Sequence, residues 1–369
     1  MSKIKINEVS KLTASDASNF DQYGCSVAIS SDGLSSMVGA HFIDTNGLTN
    51  NGQVYTYARP TIDDPWTEVS KLIASDAASY DRFGSSVSIS SDGLKAMVGA
   101  MGKNVNGLDN SGQVYTYSRK TVNDTWSEVS KLTASDAASS DWFGSSVSIS
   151  SDGLQAIVGA MCKYTNGVDE SGQVYTYSRK TVNDTWSSEV SKLVASDADS
   201  YDQFGTSVSI SANGLHAIVS AYFKDINGLV ENGQVYTYSR ETVNDTWSEV
   251  SKLVASDAVD RDYFGTSVSI SEDGLRAMVG ACNKSTNGLI NNGQTYTYSR
   301  PTVNDTWVEL FKLTASDAVD GNIFGYSVAM SGNGQYGMVS AVYKGTDGFI
   351  DNGQVYTYNI GQYNKSNTK

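Results

Sequence analysis

FGSSVSISSDGLKAMVGA, residues 83–100, decides the fold, because it predicts two antiparallel β-strands joined by a tight turn. Small polar and β-branched residues alternate from Phe83 to Ser90, a pattern typical of an extended strand, which we call strand A. Ser91-Asp92-Gly93 predicts a hairpin turn, since glycine readily takes a positive φ. Strand B follows from Leu94 to Ala100.

Two further strands complete the unit. A polar loop, Met101 to Ser111, leads to the sequence GQVYTYSR from Gly112 to Arg119, which alternates tyrosine with valine and threonine and predicts strand C. The turn Thr121 to Thr125 separates it from strand D, Trp126 to Leu132. Because none of these segments has a 3.6-residue apolar period, the sequence predicts an all-β protein.

The unit recurs along the whole chain. The motif Lys-Leu-x-Ala-Ser-Asp-Ala occurs six times, with its leucine at Leu12, Leu72, Leu132, Leu193, Leu253 and Leu313. A period near 60 residues is too long for a solenoid rung and suits a four-stranded propeller blade. Sheets with two apolar faces cover one another when they surround a common axis, so the repeat predicts a six-bladed β-propeller.

The chain ends predict how the ring closes. The first copy begins with strand D (Glu8 to Leu12) and the last ends after strand C (Gly353 to Tyr358). We therefore expect one domain, residues 1–369, made of four-stranded antiparallel blades and closed by pairing of the N-terminal strand with the C-terminal blade. The approximate repeats and the tail are 8–66, 67–126, 127–186, 187–247, 248–307, 308–358 and 359–369.

The repeated pairs Phe83-Gly84 and Gly99-Ala100, followed by Gly112-Gln113-Val114-Tyr115, resemble the FG-GAP repeat of integrin-α-type propellers. The resemblance covers about residues 8–358 and implies adhesion, ligand binding or assembly, with lectins among the family's members. Many members also carry a calcium loop between strands A and B. Here that connection is a tight turn with one carboxylate, which cannot supply the six to eight oxygens that calcium needs. We expect no calcium at this turn and no other cofactor.

Charge and composition restrict the partners. The net charge of −14 disfavours nucleic acid, and the sequence contains no run of 18 apolar residues for membrane insertion. The first residues lack the apolar region of a signal peptide, so we expect cytoplasmic synthesis with possible assembly into a virion or appendage. The final location stays open.

Pairs of acids five residues apart precede strand A, including Asp76 with Asp81 and Asp136 with Asp141. These are weak candidates for a metal site, and hydrogen bonds to the loop backbone are the favoured interpretation. The same acids could suggest a glycosidase. Sixfold repetition argues against it, because a catalytic acid and base need different environments, so we expect no enzyme. His41 and His216 occupy non-equivalent positions, and we expect both at the surface or in loops.

The copies differ most in the D–A and B–C connections, which emerge on one face of a propeller, whereas the A–B and C–D turns hardly change. This predicts either a binding face or simple drift of unconstrained loops. The candidate contact residues are Arg82, Trp142, Tyr164, Tyr222, Phe223, Tyr263 and Tyr343. We expect recognition of a glycan or a protein surface. The alternative is a structural surface component of a virion or appendage, such as a decoration, fibre or receptor-binding protein. A glycan-active enzyme is a distant third.

Overall fold

The computed structural model describes residues 8–186, 189–346, 348 and 350–361. They form six sheets of four antiparallel strands arranged in a closed ring, which confirms the six-bladed propeller. Within these residues no helix could cross a lipid bilayer.

The strands fall into four classes by their distance from the axis. The innermost strands, class A, are β2 (Ser26–Ile29), β6 (Phe83–Ile89), β10 (Phe143–Ile149), β14 (Val208–Ile210), β18 (Phe264–Ile270) and β22 (Phe324–Met330). Class B comprises β3 (Ser35–Ala40), β7 (Lys95–Ala100), β11 (Gln155–Ala160), β15 (His216–Ala221), β19 (Arg276–Ala281) and β23 (Tyr336–Ala341). Class C comprises β4 (Gln53–Ala58), β8 (Gln113–Ser118), β12 (Gln173–Ser178), β16 (Gln234–Ser239), β20 (Gln294–Ser299) and β24 (Gln354–Asn359). The outermost strands, class D, are β1 (Glu8–Leu12), β5 (Thr67–Leu72), β9 (Ser127–Leu132), β13 (Ser191–Leu193), β17 (Ser248–Leu253) and β21 (Val308–Leu313).

The two ends of the chain share one blade. Blades 1 to 5 are built from β2–β5, β6–β9, β10–β13, β14–β17 and β18–β21, and blade 6 contains β22, β23, β24 and the N-terminal β1. Leu12 of β1 pairs with Val355 of β24, and Lys11 pairs with Tyr356. The predicted closure by the N-terminal strand is therefore confirmed.

Neighbouring blades are held together by an apolar layer that contains the aromatic residue of the Phe-Gly pair. Phe143 of blade 3 is fully buried and packs in one cluster with Met97 and Val114 of blade 2. Its ring lies edge-on to Tyr175, with the centroids 5.5 Å apart. The strands of classes A to C are buried on both faces because each sheet is covered on both sides by its neighbours.

Glycine permits the closest contact between blades. A Cβ on Gly99 would lie 2.0 Å from the carbonyl oxygen of Gly144 in the next blade, a distance that no side chain can occupy. Gly144 itself has φ +85°, which glycine adopts without strain. Ser86 Oγ donates a hydrogen bond to the same Gly144 oxygen at 2.9 Å, so the two blades are joined by packing and by hydrogen bonding.

The two faces of the ring differ in how their connections are fixed. We call the face with the A–B and C–D turns the turn face, and the face with the D–A and B–C loops the loop face. On the turn face, Arg119 Nε donates to Gly93 O at 2.8 Å and Nη1 donates to Val122 O at 2.8 Å, while the guanidinium lies 4.4 Å from the Trp126 ring. One arginine thereby joins both turns of a blade, which explains why their sequences vary so little.

Candidate functional site: the mouth of the axial channel

The six innermost strands surround an axial channel that widens at the loop face into a cavity of about 330 Å³, which we call the mouth cavity. Two repeat positions line most of it. The residue after the Phe-Gly pair (Tyr-Gly in blade 1) contributes Cys25, Ser85, Ser145, Thr206, Thr266 and Tyr326. The residue after Gly-Ala, or Ser-Ala in blade 4, contributes His41, Met101, Met161, Tyr222 and Cys282. Equivalent positions therefore meet around one axis, but with side chains that differ between blades.

One side of the mouth cavity is an aromatic wall formed by Tyr222, Phe223 and Tyr263. Tyr222 stacks on Phe223 with the ring centroids 4.0 Å apart, and Tyr263 meets these rings edge-on at 5.6 and 5.2 Å. All three side chains are half-buried, and their remaining surface lines the cavity. Tyr343 lines the same cavity.

The structure separates the other predicted contact residues from this cavity. Arg82 lies 5.6 Å from the ring of Trp142 and 5.5 Å from that of Phe42, and this group lies on the loop face outside the cavity lining. Tyr164 is 58% exposed and also lies outside the lining. The prediction thus identified four residues of the cavity and missed Tyr326, the methionines and the hydroxyl groups. Comparing the residue after each Phe-Gly and Gly-Ala pair across the repeats would have found most of them.

His41 lies in a different environment from the one we expected. It lies in the loop after β3, as one of the two expected positions, but it is buried: it is only 4% exposed at the mouth cavity, with its ring 4.3 Å from that of Phe42. Burial, with a smaller contribution from the Arg82 charge, lowers the pKa of His41 to about 3. The imidazole is therefore neutral at physiological pH. Among the described residues, His41 Nδ1 has no hydrogen-bond partner.

An apolar sector lies beside the aromatic wall and contains Cys25, Cys282, Ile323 and Val342, with Tyr326 packed against it. Burial raises the pKa of Cys25 to about 12 and that of Cys282 to about 11. Both remain thiols near neutral pH, and a thiol is a far weaker nucleophile than a thiolate. This sector therefore provides apolar surface and no activated nucleophile.

The residue that precedes each Phe-Gly pair (Tyr-Gly in blade 1) has a left-handed backbone conformation. This position holds Gln22, Arg82, Trp142, Gln203, Tyr263 and Ile323, with φ between +49° and +57°. Other left-handed positions on the loop face hold asparagine, as at Asn106 with φ +53°, but some hold large side chains, such as Tyr80 with φ +70° and Arg261 with φ +60°. Asparagine tolerates this conformation, whereas bulky and β-branched side chains are strained in it. Large side chains are thus held beside the mouth cavity in an unfavourable backbone conformation.

In four blades the inner acid of the pair already binds a cation, and that cation is a lysine ammonium. Lys103 Nζ lies 2.9 Å from Asp81 Oδ2 and 2.6 Å from the Asp76 carbonyl oxygen. Asp76 Oδ1 accepts from Tyr115 at 2.7 Å, and Oδ2 pairs with Lys131 at 2.8 Å. Lys163 binds Asp141 and Asp136 in the same way. No cluster of His, Cys, Asp or Glu in the described part of the chain is placed to hold a metal ion.

The opposite end of the channel is narrow, and one side chain reaches across it. The first residue of the A–B turn lines it as Ser31, Ser91, Ser151, Ala212, Glu272 and Gly332. Glu272 Oε1 accepts from Ser151 at 2.7 Å and also from Ser31 across the axis. Burial raises the pKa of Glu272, but hydrogen bonds from Ser31, Ser151 and Ser91 outweigh it, so the pKa lies below its ordinary value. Sequence comparison underrated this position, because we expected the A–B turns to be nearly invariant.

The six repeats can be compared with known families. No curated protein shows significant sequence similarity to the chain. The FG-GAP repeat matches six segments, which are residues 6–57, 66–117, 126–177, 186–238, 247–298 and 307–358. Each segment contains a class D strand followed by the A, B and C strands of the next blade. Propellers of this kind typically serve binding or adhesion and are typically not enzymes. Because the matches cover well over half of the sequence and coincide with the blades, the chain belongs to the FG-GAP repeat family.

Proposed function

We propose that this protein is a non-catalytic recognition propeller that binds a saccharide in the mouth cavity. The observation that carries the proposal is the loss of sixfold equivalence at the axis. Residues that pack between blades are nearly the same in every copy, whereas the two positions around the mouth vary: blades 2 and 3 share a serine and a methionine there, and the other blades present different pairs of side chains. One ligand on the axis can contact all six blades at once, so unlike side chains from different blades can bind it together.

The lining suits a saccharide chemically. The aromatic wall of Tyr222, Phe223 and Tyr263 offers flat apolar surface for the C–H face of a sugar ring. On the lining, Thr206 and Thr266 hydroxyls donate to backbone carbonyl oxygens at 2.6 Å. Their oxygens can still accept hydrogen bonds from sugar hydroxyls. A volume of about 330 Å³ is at the small end of the range for ligand pockets and fits one or two sugar rings.

Backbone strain supports a binding role for the loop face. Tyr263, Trp142 and Arg82 all occupy left-handed positions, where asparagine or glycine would cost less free energy. Strained residues cluster at functional sites when their side chains are needed there. Loops that vary only because nothing constrains them would be expected to favour the residues that relieve this strain.

The test is a glycan array probed with the full chain, followed by calorimetric titration of any saccharide that binds. The variant Tyr222→Ala should weaken that saccharide at least tenfold, which corresponds to about 1.4 kcal/mol. The matched control is Tyr164→Ala, since Tyr164 lies on the same face but outside the cavity. The proposal would be rejected if the two variants bound the saccharide with equal affinity. It would also be rejected if the chain bound no saccharide on the array.

A structural role in a virion or appendage is a second candidate, and a feature of the outer rim supports it. Four copies have an exposed valine at the same repeat position, in a class D strand or directly before it. These valines are 42–55% exposed: Val69, Val129, Val190 and Val250. Repeated apolar contacts around a rim suit packing of many copies. Sedimentation of the purified chain should then show large assemblies that Val129→Lys with Val250→Lys disrupts, while a stable monomer at high concentration would count against this role.

A further inference from the structure

Blade 1 lacks the lysine that occupies the acid pair in the other complete copies. The equivalent of Lys103 is Ile43, although the backbone is the same: Gly52 N–H donates to Ile43 O at 3.1 Å, as Gly112 N–H donates to Lys103 O at 2.9 Å. Four blades contain both acid and lysine, with Nζ to Oδ2 distances of 2.8–2.9 Å. In blade 6 the lysine remains as Lys344 and the inner acid is replaced by Asn322.

Asp21 is consequently a buried carboxylate without a cation. It is 5% exposed, and among the described residues its only hydrogen bond comes from Ser18 N–H, at 2.6 Å from Oδ2. In the equivalent carboxylate of blade 2, Oδ2 accepts from both Ala78 N–H and the Lys103 ammonium. Burial raises the pKa of Asp21, and the charges of Asp16 and Asp44 raise it further. A buried carboxylate of this kind is strongly destabilising unless a positive group compensates it.

The place of the missing ammonium is an open cavity. Ile43, Asp21 and Asp44 line a space of about 480 Å³ at the rim of blade 1, and Phe20 and Phe42 form apolar walls. This rim cavity shares no lining residue with the mouth cavity. The outer acid, Asp16, is occupied as in the other blades, by Lys71 at 2.6 Å and Tyr55 at 2.6 Å. Only the inner position is left without its positive group.

We propose that the rim cavity of blade 1 binds a primary ammonium group from outside the chain, carried by a small amine or by a lysine side chain of a partner protein. Four copies of the same loop already hold an ammonium between the inner carboxylate and a backbone carbonyl oxygen. The cavity has room for the alkyl chain that Ile43 does not supply. The net charge of −14 also concentrates cations at the surface.

A metal ion is the less suitable occupant. Calcium takes six to eight oxygens, and the Asp16 carboxylate is already occupied. No cluster that could hold a metal is found in the described residues. Ammonium needs fewer acceptors, and in the other blades one carboxylate oxygen and one carbonyl oxygen suffice.

The experiment titrates the full chain with n-butylamine, which has the alkyl chain and ammonium of a lysine side chain, and follows binding by calorimetry and by the melting temperature. We expect one saturable site and a rise in melting temperature. Asp21→Asn should weaken binding at least tenfold. Ile43→Lys should abolish it and raise the melting temperature without amine, because the chain then supplies its own ammonium.

A matched variant tests the same logic in blade 2. Lys103→Ile should lower the melting temperature and create a second amine site, so that butylamine restores part of the loss. Peptides containing lysine or acetyl-lysine distinguish the sources: preference for the lysine peptide over butylamine indicates a protein partner, and the reverse indicates a small amine. Absence of any amine site in the native chain together with no stabilisation by Ile43→Lys would overturn the proposal, as would saturable calcium binding that Asp21→Asn abolishes and amines do not compete with.

Discussion

The two ends of the axial channel are built from the same six strands and differ in almost every other respect. At the turn face the channel narrows to a space of about 110 Å³, lined by apolar side chains of the innermost strands and by the residues that begin the A–B turns. There Glu272 reaches across to serines of two other blades. At the loop face it opens into about 330 Å³ lined by aromatic, sulfur-containing and hydroxyl side chains. The repeated residues build the strands that both ends share. Each end of the axis, in contrast, holds a single site to which all six blades contribute. Side chains near the axis are therefore free to differ between copies.

Opening the ring should have the largest effect, because both ends depend on a closed ring. Deletion of residues 1–14 removes β1, including buried Leu12, and exposes the edge of β24. We expect aggregation or oligomerisation and loss of the native melting transition, since an unpaired edge recruits other strands. The measurement is light scattering with thermal denaturation. A deletion of residues 1–7, which leaves β1 complete, is the control, and a monomeric 15–369 chain with native stability would contradict the closure.

Substitutions at the adjacent residues Trp142 and Phe143 should distinguish the packed framework from the loop face. Phe143→Ala leaves a void in the layer between blades 2 and 3, so the free energy of unfolding should fall by about 3–5 kcal/mol. Trp142→Ala should change it by less than about 1 kcal/mol, because Trp142 packs against Arg82 at the surface of the loop face. Denaturant unfolding of both variants makes the comparison. Similar losses would show that the loop face is part of the framework.

Removing the lysine of an acid pair should lower the free energy of unfolding somewhat less than Phe143→Ala does. Lys163→Met leaves Asp141, which is 3% exposed, without its ammonium, and should lower the free energy of unfolding by about 3 kcal/mol. Adding Asp141→Asn should recover most of this loss, since a neutral amide is cheaper to bury. Chemical denaturation of the single and double variants checks the coupling. Additive losses would show that the two side chains act independently.

Substitution of Glu272 should have the smallest effect on the free energy of unfolding, and this effect should depend on pH. Its pKa lies below the ordinary 4.5, so its stabilising contribution is complete above that pH and is lost as the pH falls through the folded-state pKa. Glu272→Gln should lower the free energy of unfolding at neutral pH by about 1 kcal/mol or less. Because glutamine does not titrate, the Glu272→Gln variant should also lose less stability than the native chain when the pH is lowered. An unchanged acid profile would mean that the three serines do not stabilise the carboxylate.

The repeat made much of the fold predictable. The Phe-Gly, Gly-Ala and Gly-Gln-Val-Tyr segments define strands by their period-two alternation, and in the second repeat no observed strand end differs from the predicted one by more than one residue, as at Ser90 and Gly112. The site was harder to predict. Tyr222 and Tyr263 were identified from loop variation. Tyr326 and His41 were not among the predicted contact residues, because only a comparison of the residue after each Phe-Gly and Gly-Ala pair across the repeats would have singled them out.

By itself, the sequence determined the strands, the number of blades, the strand that closes the ring and the face on which the copies differ. These features follow from alternation and spacing, which are local properties of the chain. Only the tertiary structure decided which residues meet at the axis, that a lysine ammonium occupies the acid pairs, and that Asp21 and Glu272 stand apart from their equivalents. Those relations join residues many positions apart, in some cases in different blades, and they arise only when the closed ring brings them to one place.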